Sequence, residues 1–491
     1  MKRTKIIATV GPASEKEKTL REMVRKGVNV ARLNFSHGDF SSHRRTIKNI
    51  KKIRKEFGVP IGIMADLQGP RIRVSNQKEF QVSKNESIWI DELALAARAG
   101  SVTRMFSKLK QAVSRRGGKT LYLDLRGIMK LIKPGSSILI EDGLIKVKVI
   151  RRKEGKLLGR VMNSGVIRPR KGVNIPGISG KLETITAYDR EALTFALEQD
   201  IDFVALSFVR TAEEIENLRK LIEKESGKKR GGAQIVAKIE RREAIKNFDE
   251  ILEAADAVMV ARGDLGIEMP QADIPILQKE ICAKCLRAGK PVIVATQMLD
   301  SMIRNPRPTR AEVTDVSNAV IDHADALMLS GETASGKYPV EAVATMSQII
   351  RRTEKSPFDN LEHGFLGDET FSVSAAIAHS THELLKDSRA KAVVVASISG
   401  RTARMIARHR PEQKIYVMTN NRKTHNQLSL VWGARSFILP DCRDLEELIS
   451  KSIETIKKNK LLKKKDRVVI VAGRPHVKMD QMSLVKVEEI K

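Results

Sequence analysis

The chain is poor in cysteine, in aromatic residues, in acidic charge and in long apolar runs. Three cysteines in 491 residues make no disulfide framework, so a reducing compartment is expected. Four tyrosines and two tryptophans are too few for the stacking platform of a single-strand nucleic-acid binder. No uninterrupted apolar stretch approaches the ~20 residues that a membrane helix needs. The start, Met1-Lys2-Arg3-Thr4-Lys5, lacks the apolar core and cleavage site of a secretory signal. A cytoplasmic protein with no membrane partner is therefore expected. Acidic residues are outnumbered, 59 Asp and Glu against 89 Lys and Arg, a net charge of +30. Such an excess attracts anions: phosphorylated metabolites, polyanions or acidic membranes. The cations are spread along the chain, in runs such as Lys463-Lys464-Lys465, as on a solvated surface. Specific nucleic-acid binding is not expected.

What is present is a hydrophobic fraction of 41%, enough for a real core, in a chain long enough for about two to four domains. Residues 1–71 alternate strand and helix, with strands at 5–10, 28–35 and 61–67. Residues 72–174 break that rhythm. Short β-runs are punctuated at Pro134-Gly135, Asp142-Gly143 and Gly155, with one basic helical stretch over 91–118. This reads as a mainly-β domain inserted into an α/β fold. Alternation resumes near Ala187, with strands at 203–208, 234–240, 257–261, 291–296 and 326–329. Three strands before the insert and five after it make the eight of a TIM (β/α)8 barrel. Residues beyond about 356 read as a separate C-terminal α/β domain. The expected division is 1–71 and 175–355 for the barrel, 72–174 for the insert and 356–491 for the C-terminal domain.

Polar residues recur at the C-terminal strand ends, where a barrel carries its chemistry: Arg32, Asn34, Asp66, Lys238, Glu240, Asp264, Thr296 and Ser330. Lys238 and Glu240 are two apart and project to the same side of one strand. Asp264 follows the next strand. Buried charge is costly unless it is paired, metal-bound or set in a polar cleft. One lysine and two carboxylates here suit a divalent metal and an anion; an ordinary strand-end salt bridge is the plainer alternative. Two motifs mislead. Gly331 to Lys337 has Walker spacing, but Tyr338 stands where a metal-holding Ser or Thr belongs. Cys282 and Cys285 form a CxxC on a predicted helix with no second pair of ligands nearby.

With the strand ends aligned, the chain resembles the pyruvate kinase family nearly end to end. The matching segments are Thr9-Val10-Gly11-Pro12-Ala13-Ser14, Ala31-Arg32-Leu33-Asn34-Phe35-Ser36-His37-Gly38, Lys171-Gly172-Val173-Asn174-Ile175-Pro176-Gly177, Lys238-Ile239-Glu240, Ala261-Arg262-Gly263-Asp264-Leu265-Gly266, Ala295-Thr296-Gln297-Met298-Leu299 and Leu329-Ser330-Gly331-Glu332-Thr333-Ala334. The resemblance implies phosphoryl transfer from phosphoenolpyruvate to ADP, giving pyruvate and ATP, by a barrel with an inserted β lid. It implies Mg²⁺ or Mn²⁺ on Glu240 and Asp264, with Lys238, Arg32 and Thr296 catalytic. Gly263, Asp264 and Ser330 join these three against the substrate, with the N–H groups of Gly263 and Asp264 at a helix start open to its carboxylate. Pro12, Asn34, His37, Arg73 and Lys171 match nucleotide contacts, the last from the lid. Many members carry a lysine and a glutamate around the third-strand Gly-Pro and need K⁺. Here the segment is Asp66-Leu67-Gln68-Gly69-Pro70-Arg71-Ile72-Arg73-Val74, similar to the branch that works without K⁺. The region is Asn34, Ser36, Asp66, Leu67 and Arg71, and a fixed Arg71 cation is expected to replace K⁺. Ser397, Ser399, Gly400, Arg401 and Thr402 resemble a phosphate loop for a phosphorylated effector. The family's later Gly-rich effector loop is replaced by Gly473-Arg474-Pro475-His476-Val477-Lys478-Met479-Asp480. The family also implies a homotetramer. Two rival readings are a weak paralogue that binds polyanions and a phosphoenolpyruvate-binding barrel with another acceptor.

Overall fold

The computed structural model describes residues 2–93, 119–125, 127–141, 143–178, 182–227, 232–361, 366, 372–473 and 484–491. The helix expected over 91–118 falls mostly outside the described residues. Its first two residues, Asp91 and Glu92, instead end a strand, Ser87–Glu92, whose alternation of buried and open positions suits a sheet. Residues 474–480 of the replaced effector loop are also outside the described residues.

Eight parallel strands close into a barrel. They are β1 (Lys5–Val10), β2 (Val30–Asn34), β3 (Gly62–Asp66), β4 (Phe203–Leu206), β5 (Gln234–Ile239), β6 (Ala257–Ala261), β7 (Val292–Ala295) and β8 (Ala326–Leu329), adjacent in chain order, with β8 returning to β1. Apart from polar residues near their ends, these strands are apolar and almost wholly buried, as strands covered on both faces must be. Ile7, Val30, Met64, Phe203, Val236, Met259, Ile293 and Met328 fill the interior.

The N-terminal mouth follows one repeated device. The residue just before each even strand accepts a hydrogen bond from the first N–H groups of the odd strand beside it. Asn29 takes Ile6 N at 3.0 Å, Asp202 takes Ile63 N at 2.9 Å, Asp256 takes Ile235 N at 2.8 Å and Asp325 takes Val292 N at 3.0 Å. Each acceptor also meets a cation: Lys2 on Asn29, Arg54 on Asp202, Arg219 on Asp256 and Arg410 on Asp325. Strand-end donors that would otherwise be buried and unpaired are thus satisfied. This face serves stability and leaves the opposite mouth for chemistry.

The described contacts divide the chain into two compact units, 1–68 with 187–265 and 272–491, and 69–186 with 266–271. The second holds a seven-stranded sheet around a core of Ile88, Ile90, Ile138, Val147 and Leu157. The first adds a five-stranded sheet to the barrel: β9 (Ala392–Ala396), β10 (Lys414–Thr419), β11 (Ala434–Ile438), β12 (Arg467–Ala472) and β13 (Leu484–Glu489), in the order β11-β10-β9-β12-β13. Polar contacts tie this sheet region to the barrel. Lys5 Nζ donates to Ala434 O at 2.7 Å, and Gln427 Nε2 donates to Gly232 O at 2.9 Å.

The misleading motifs resolve plainly. Gly331–Ala334 is a single helical turn. Cys282 and Cys285 lie fully buried on the helix Ile274–Ala288, where burial pushes both thiols up and keeps them unreactive.

Candidate active site

Strand register brings the functional side chains together. Thr9 on β1 pairs with Arg32 on β2, and Asn34 on β2 pairs with Asp66 on β3. Arg32 reaches Asp66 Oδ2 with Nε and a terminal nitrogen, both at 2.6 Å, and donates to Thr9 Oγ1 at 2.8 Å. Lys238 Nζ lies 3.2 Å from Asp66 Oδ1, donates to Ser207 Oγ at 2.7 Å and sits 2.9 Å from Glu240 Oε1. Glu240 Oε2 accepts Phe208 N at 2.8 Å, and Phe208 adopts a left-handed φ of 59° to present it. One network therefore crosses the ends of five consecutive strands. A strand-end salt bridge between Lys238 and Glu240 is present, but it is one edge of a lattice of two cations and two buried carboxylates.

Burial alone would raise Asp66, but Lys238 and Arg32 outweigh it and hold the carboxyl below its ordinary value. Burial alone would lower Lys238, but Asp66 and Glu240 hold its ammonium above the ordinary value. Glu240 goes the other way: burial, with Asp264 adding repulsion, raises its carboxyl in spite of Lys238. Its charge is the least compensated in the site. Its Oε1 is buried with only the Lys238 ammonium, 2.9 Å away, to offset it. Among the described residues no group of three or more His, Cys, Asp or Glu is placed to hold a metal. Glu240 and the half-buried Asp264 still fit a hard divalent cation, whose other positions would be filled by substrate oxygens and water.

Thr296 and Gln297, just past β7, have left-handed φ values of 73° and 54°. Thr296 Oγ1 donates to Ala295 O at 2.5 Å and accepts Gly263 N at 2.8 Å. The Gly263 N–H that the resemblance assigned to a substrate carboxylate is thus taken by Thr296. Ser330 N and Leu299 N both donate to the buried Glu332, whose carboxyl is raised by burial.

Ser207, Thr9 and Glu332 escaped the sequence reading as site residues. Thr9 and Glu332 stand inside two of the matching segments, and Ser207 stands inside a predicted strand, but only the fold shows what each side chain bonds. Pro12 and His37 are exposed, and Asn34 Oδ1 accepts Ser36 N at 3.1 Å. Leu67 is buried, and its carbonyl takes the Ser207 hydroxyl at 2.7 Å. Arg71, Arg73 and Lys171 belong to the second unit. There Arg71 Nε is buried with no hydrogen-bond partner, burial and the nearby Arg71 push the Arg73 guanidinium down, and Lys171 pairs with Glu141 at 2.7 Å. In the C-terminal sheet, Ser397 Oγ accepts Gly400 N at 3.0 Å and Ser399 Oγ accepts Arg401 N at 3.3 Å. Arg401 and Thr402 then open the helix Arg401–Ala407.

The family model of the pyruvate kinase barrel domain matches residues 1–343, and that of the pyruvate kinase alpha/beta domain matches residues 375–488. The chain belongs to the pyruvate kinase family. It is 40% identical to a pyruvate kinase of Geobacillus stearothermophilus, over 100% of this chain and 80% of that one. It is 38% identical to a pyruvate kinase of Clostridium perfringens, with 100% of both chains covered. A solved pyruvate kinase from Cryptosporidium parvum superposes with a TM-score of 0.87 at 34% identity, covering 100% of this chain and 96% of that one.

Proposed function

We propose that the chain transfers the phosphoryl group of phosphoenolpyruvate to ADP and protonates the resulting enolate to pyruvate. One observation carries this reading: a buried ammonium, Lys238, held between Asp66, Ser207 and Glu240, with Arg32 anchored on the same Asp66. Two fixed cations at one point suit a dianionic phosphoryl group in transit, for which positioning and charge stabilisation are most of the catalysis. Arg32 holds the phosphoryl oxygens with its planar fork. Lys238 meets the charge that develops on the transferring group and on the enolate oxygen. Thr296 passes a proton to the enolate carbon. Glu240 and Asp264 hold Mg²⁺ or Mn²⁺, which when bound screens the substrate anions and polarises their oxygens. Gly263, Asp264 and Ser330 border the substrate. Pro12, Asn34, His37, Arg73 and Lys171 serve the nucleotide. A coupled assay of pyruvate formation from phosphoenolpyruvate, ADP and Mg²⁺ tests the reading; a folded protein without turnover would overturn it.

The resemblance matches Asn34, Ser36, Asp66 and Leu67 to a monovalent-cation region and Arg71 to the fixed charge that replaces the cation. The buried, unbonded Nε of Arg71 supports a role for that side chain. Turnover in buffer free of K⁺ and Na⁺ is expected to match that with KCl. A large rise on adding KCl would sink the idea.

The raised Glu240 carboxyl gives a second expectation. Only the carboxylate binds a cation, and protons compete with the metal below the Glu240 pKa. The Mg²⁺ needed for half-activation should therefore rise as pH falls, beginning above the ordinary glutamate range. Above that window the affinity is complete. Titrating Mg²⁺ against pH for the wild type and Glu240→Gln checks this: the variant should bind Mg²⁺ weakly and lose that pH dependence.

The Ser397 to Thr402 turn is proposed as the seat of a phosphorylated effector. A cytoplasmic homotetramer follows the family pattern. Exposed Ile276 and Val313 on barrel helices favour self-association, and no described helix is long and apolar enough to cross a membrane.

A further inference from the structure

We infer that Arg262 and Asp315, to which no role is given above, form a clamp that positions Thr296 for proton transfer. Arg262 makes a two-pronged ion pair with Asp315, at 2.6 Å to Oδ1 and 2.7 Å to Oδ2. The same guanidinium donates to the Thr296 carbonyl at 2.8 Å and contacts Met298 Sδ at 2.9 Å. The next residue, Gly263, donates its N–H to Thr296 Oγ1. The end of β6 thus grips Thr296 twice, by its carbonyl and by its hydroxyl.

That grip answers a conformational problem. Thr296 is β-branched and left-handed, and Gln297 after it is left-handed too. Such backbone is sparsely populated and persists only where its surroundings over-determine it. Asp315 comes from the helix Arg310–Ile321, whose start is locked by a full capping box of Thr309 and Glu312. Glu312 also bonds Ser301, so this helix is pinned to the loop that follows Thr296. A rigid anchor, a planar fork and a strained threonine are arranged in series. A substrate carboxylate that takes the Gly263 N–H removes one hold on Thr296. The Arg262 clamp is then what keeps the hydroxyl aimed.

The inference rests on the proton-transfer role of Thr296, and the test separates the two. Pyruvate is incubated with enzyme, Mg²⁺ and ATP in D₂O. At C3 a C–H bond breaks, the proton passes to solvent by way of the enzyme, and a C–D bond forms. Deuterium uptake is compared with single-turnover ATP formation from phosphoenolpyruvate and ADP. Asp315→Asn is expected to slow uptake about 10- to 100-fold, as displacement of a positioned group by an ångström does, and to slow ATP formation much less. Arg262→Lys, which keeps the charge but loses the fork, should fall in between. Thr296→Ala should slow uptake at least as much, and adding Asp315→Asn to it should cost nothing further. Thermal melts show that each variant is folded. Normal uptake in a folded Asp315→Asn, equal loss of both readouts, or additive losses in the double variant would overturn the clamp. If Thr296→Ala itself exchanges normally, the proton-transfer role fails and the clamp with it.

Discussion

Replacing Lys238 by methionine is expected to lower kcat about a thousand-fold or more, equivalent to about 4 kcal/mol of barrier. The side chain is 5% exposed, so its charge acts in a medium where water screens little. It already sits between Asp66 and Glu240, and the interaction that matters is the gain when negative charge grows on substrate. The loss should therefore appear in kcat more than in KM for phosphoenolpyruvate. Removing the ammonium also leaves the two carboxylates unequal. Asp66 keeps Arg32, whereas Glu240 keeps only the Phe208 N–H. Glu240 should rise further, so Mg²⁺ affinity weakens at neutral pH as well. Lys238→Arg should not restore activity, because a planar fork cannot occupy the point between Asp66, Ser207 and Glu240. The coupled assay with Mg²⁺ titration measures all of this. A methionine variant within tenfold of wild type, on the order of 1.4 kcal/mol, would contradict it.

Replacing Arg410 by methionine is expected to destabilise the fold by about 3–5 kcal/mol, the usual cost of leaving a buried ion unpaired. Arg410 lies 3.1 Å from Asp325, the two side chains being 2% and 8% exposed. It also donates to the His323 carbonyl and stacks its guanidinium 4.8 Å from the Trp432 ring. Asp325 is the cap of β7 at the N-terminal mouth of the barrel, through Val292 N. Its other oxygen takes Trp432 N at 3.3 Å. The C-terminal region thus supplies the cation that a barrel cap requires, whereas the cations on Asp202 and Asp256 come from barrel helices. Urea unfolding measures the loss. Asp325→Asn in the Arg410→Met background should recover part of it, because the orphaned charge is gone while the Val292 bond is kept. A loss below about 1 kcal/mol would place this pair with ordinary surface bridges.

Much of the site was legible because parallel barrels put chemistry at strand ends, and charge at the end of an apolar run is visible in sequence. Lys238, Glu240, Arg32 and Asp66 were found that way. What those charges do to one another was not. Lys238 is paired twice over, with Asp66 from another strand as well as with Glu240, because an ammonium so deeply buried cannot stand alone. The Gly263 N–H looked open to a substrate carboxylate, yet Thr296 occupies it.

By itself the sequence determined the eight strands, the insert, the further α/β region and which polar residues stand at the strand ends, because periodicity and strand-end polarity are local properties of the chain. Only the tertiary structure decided that Asp66 is the shared anchor of both cations, that Glu240 is the undercompensated carboxylate and that Arg262 reaches Thr296. Pairing, burial and strain depend on which distant residues share a few ångströms. Closure of the barrel settles that, and spacing along the chain does not.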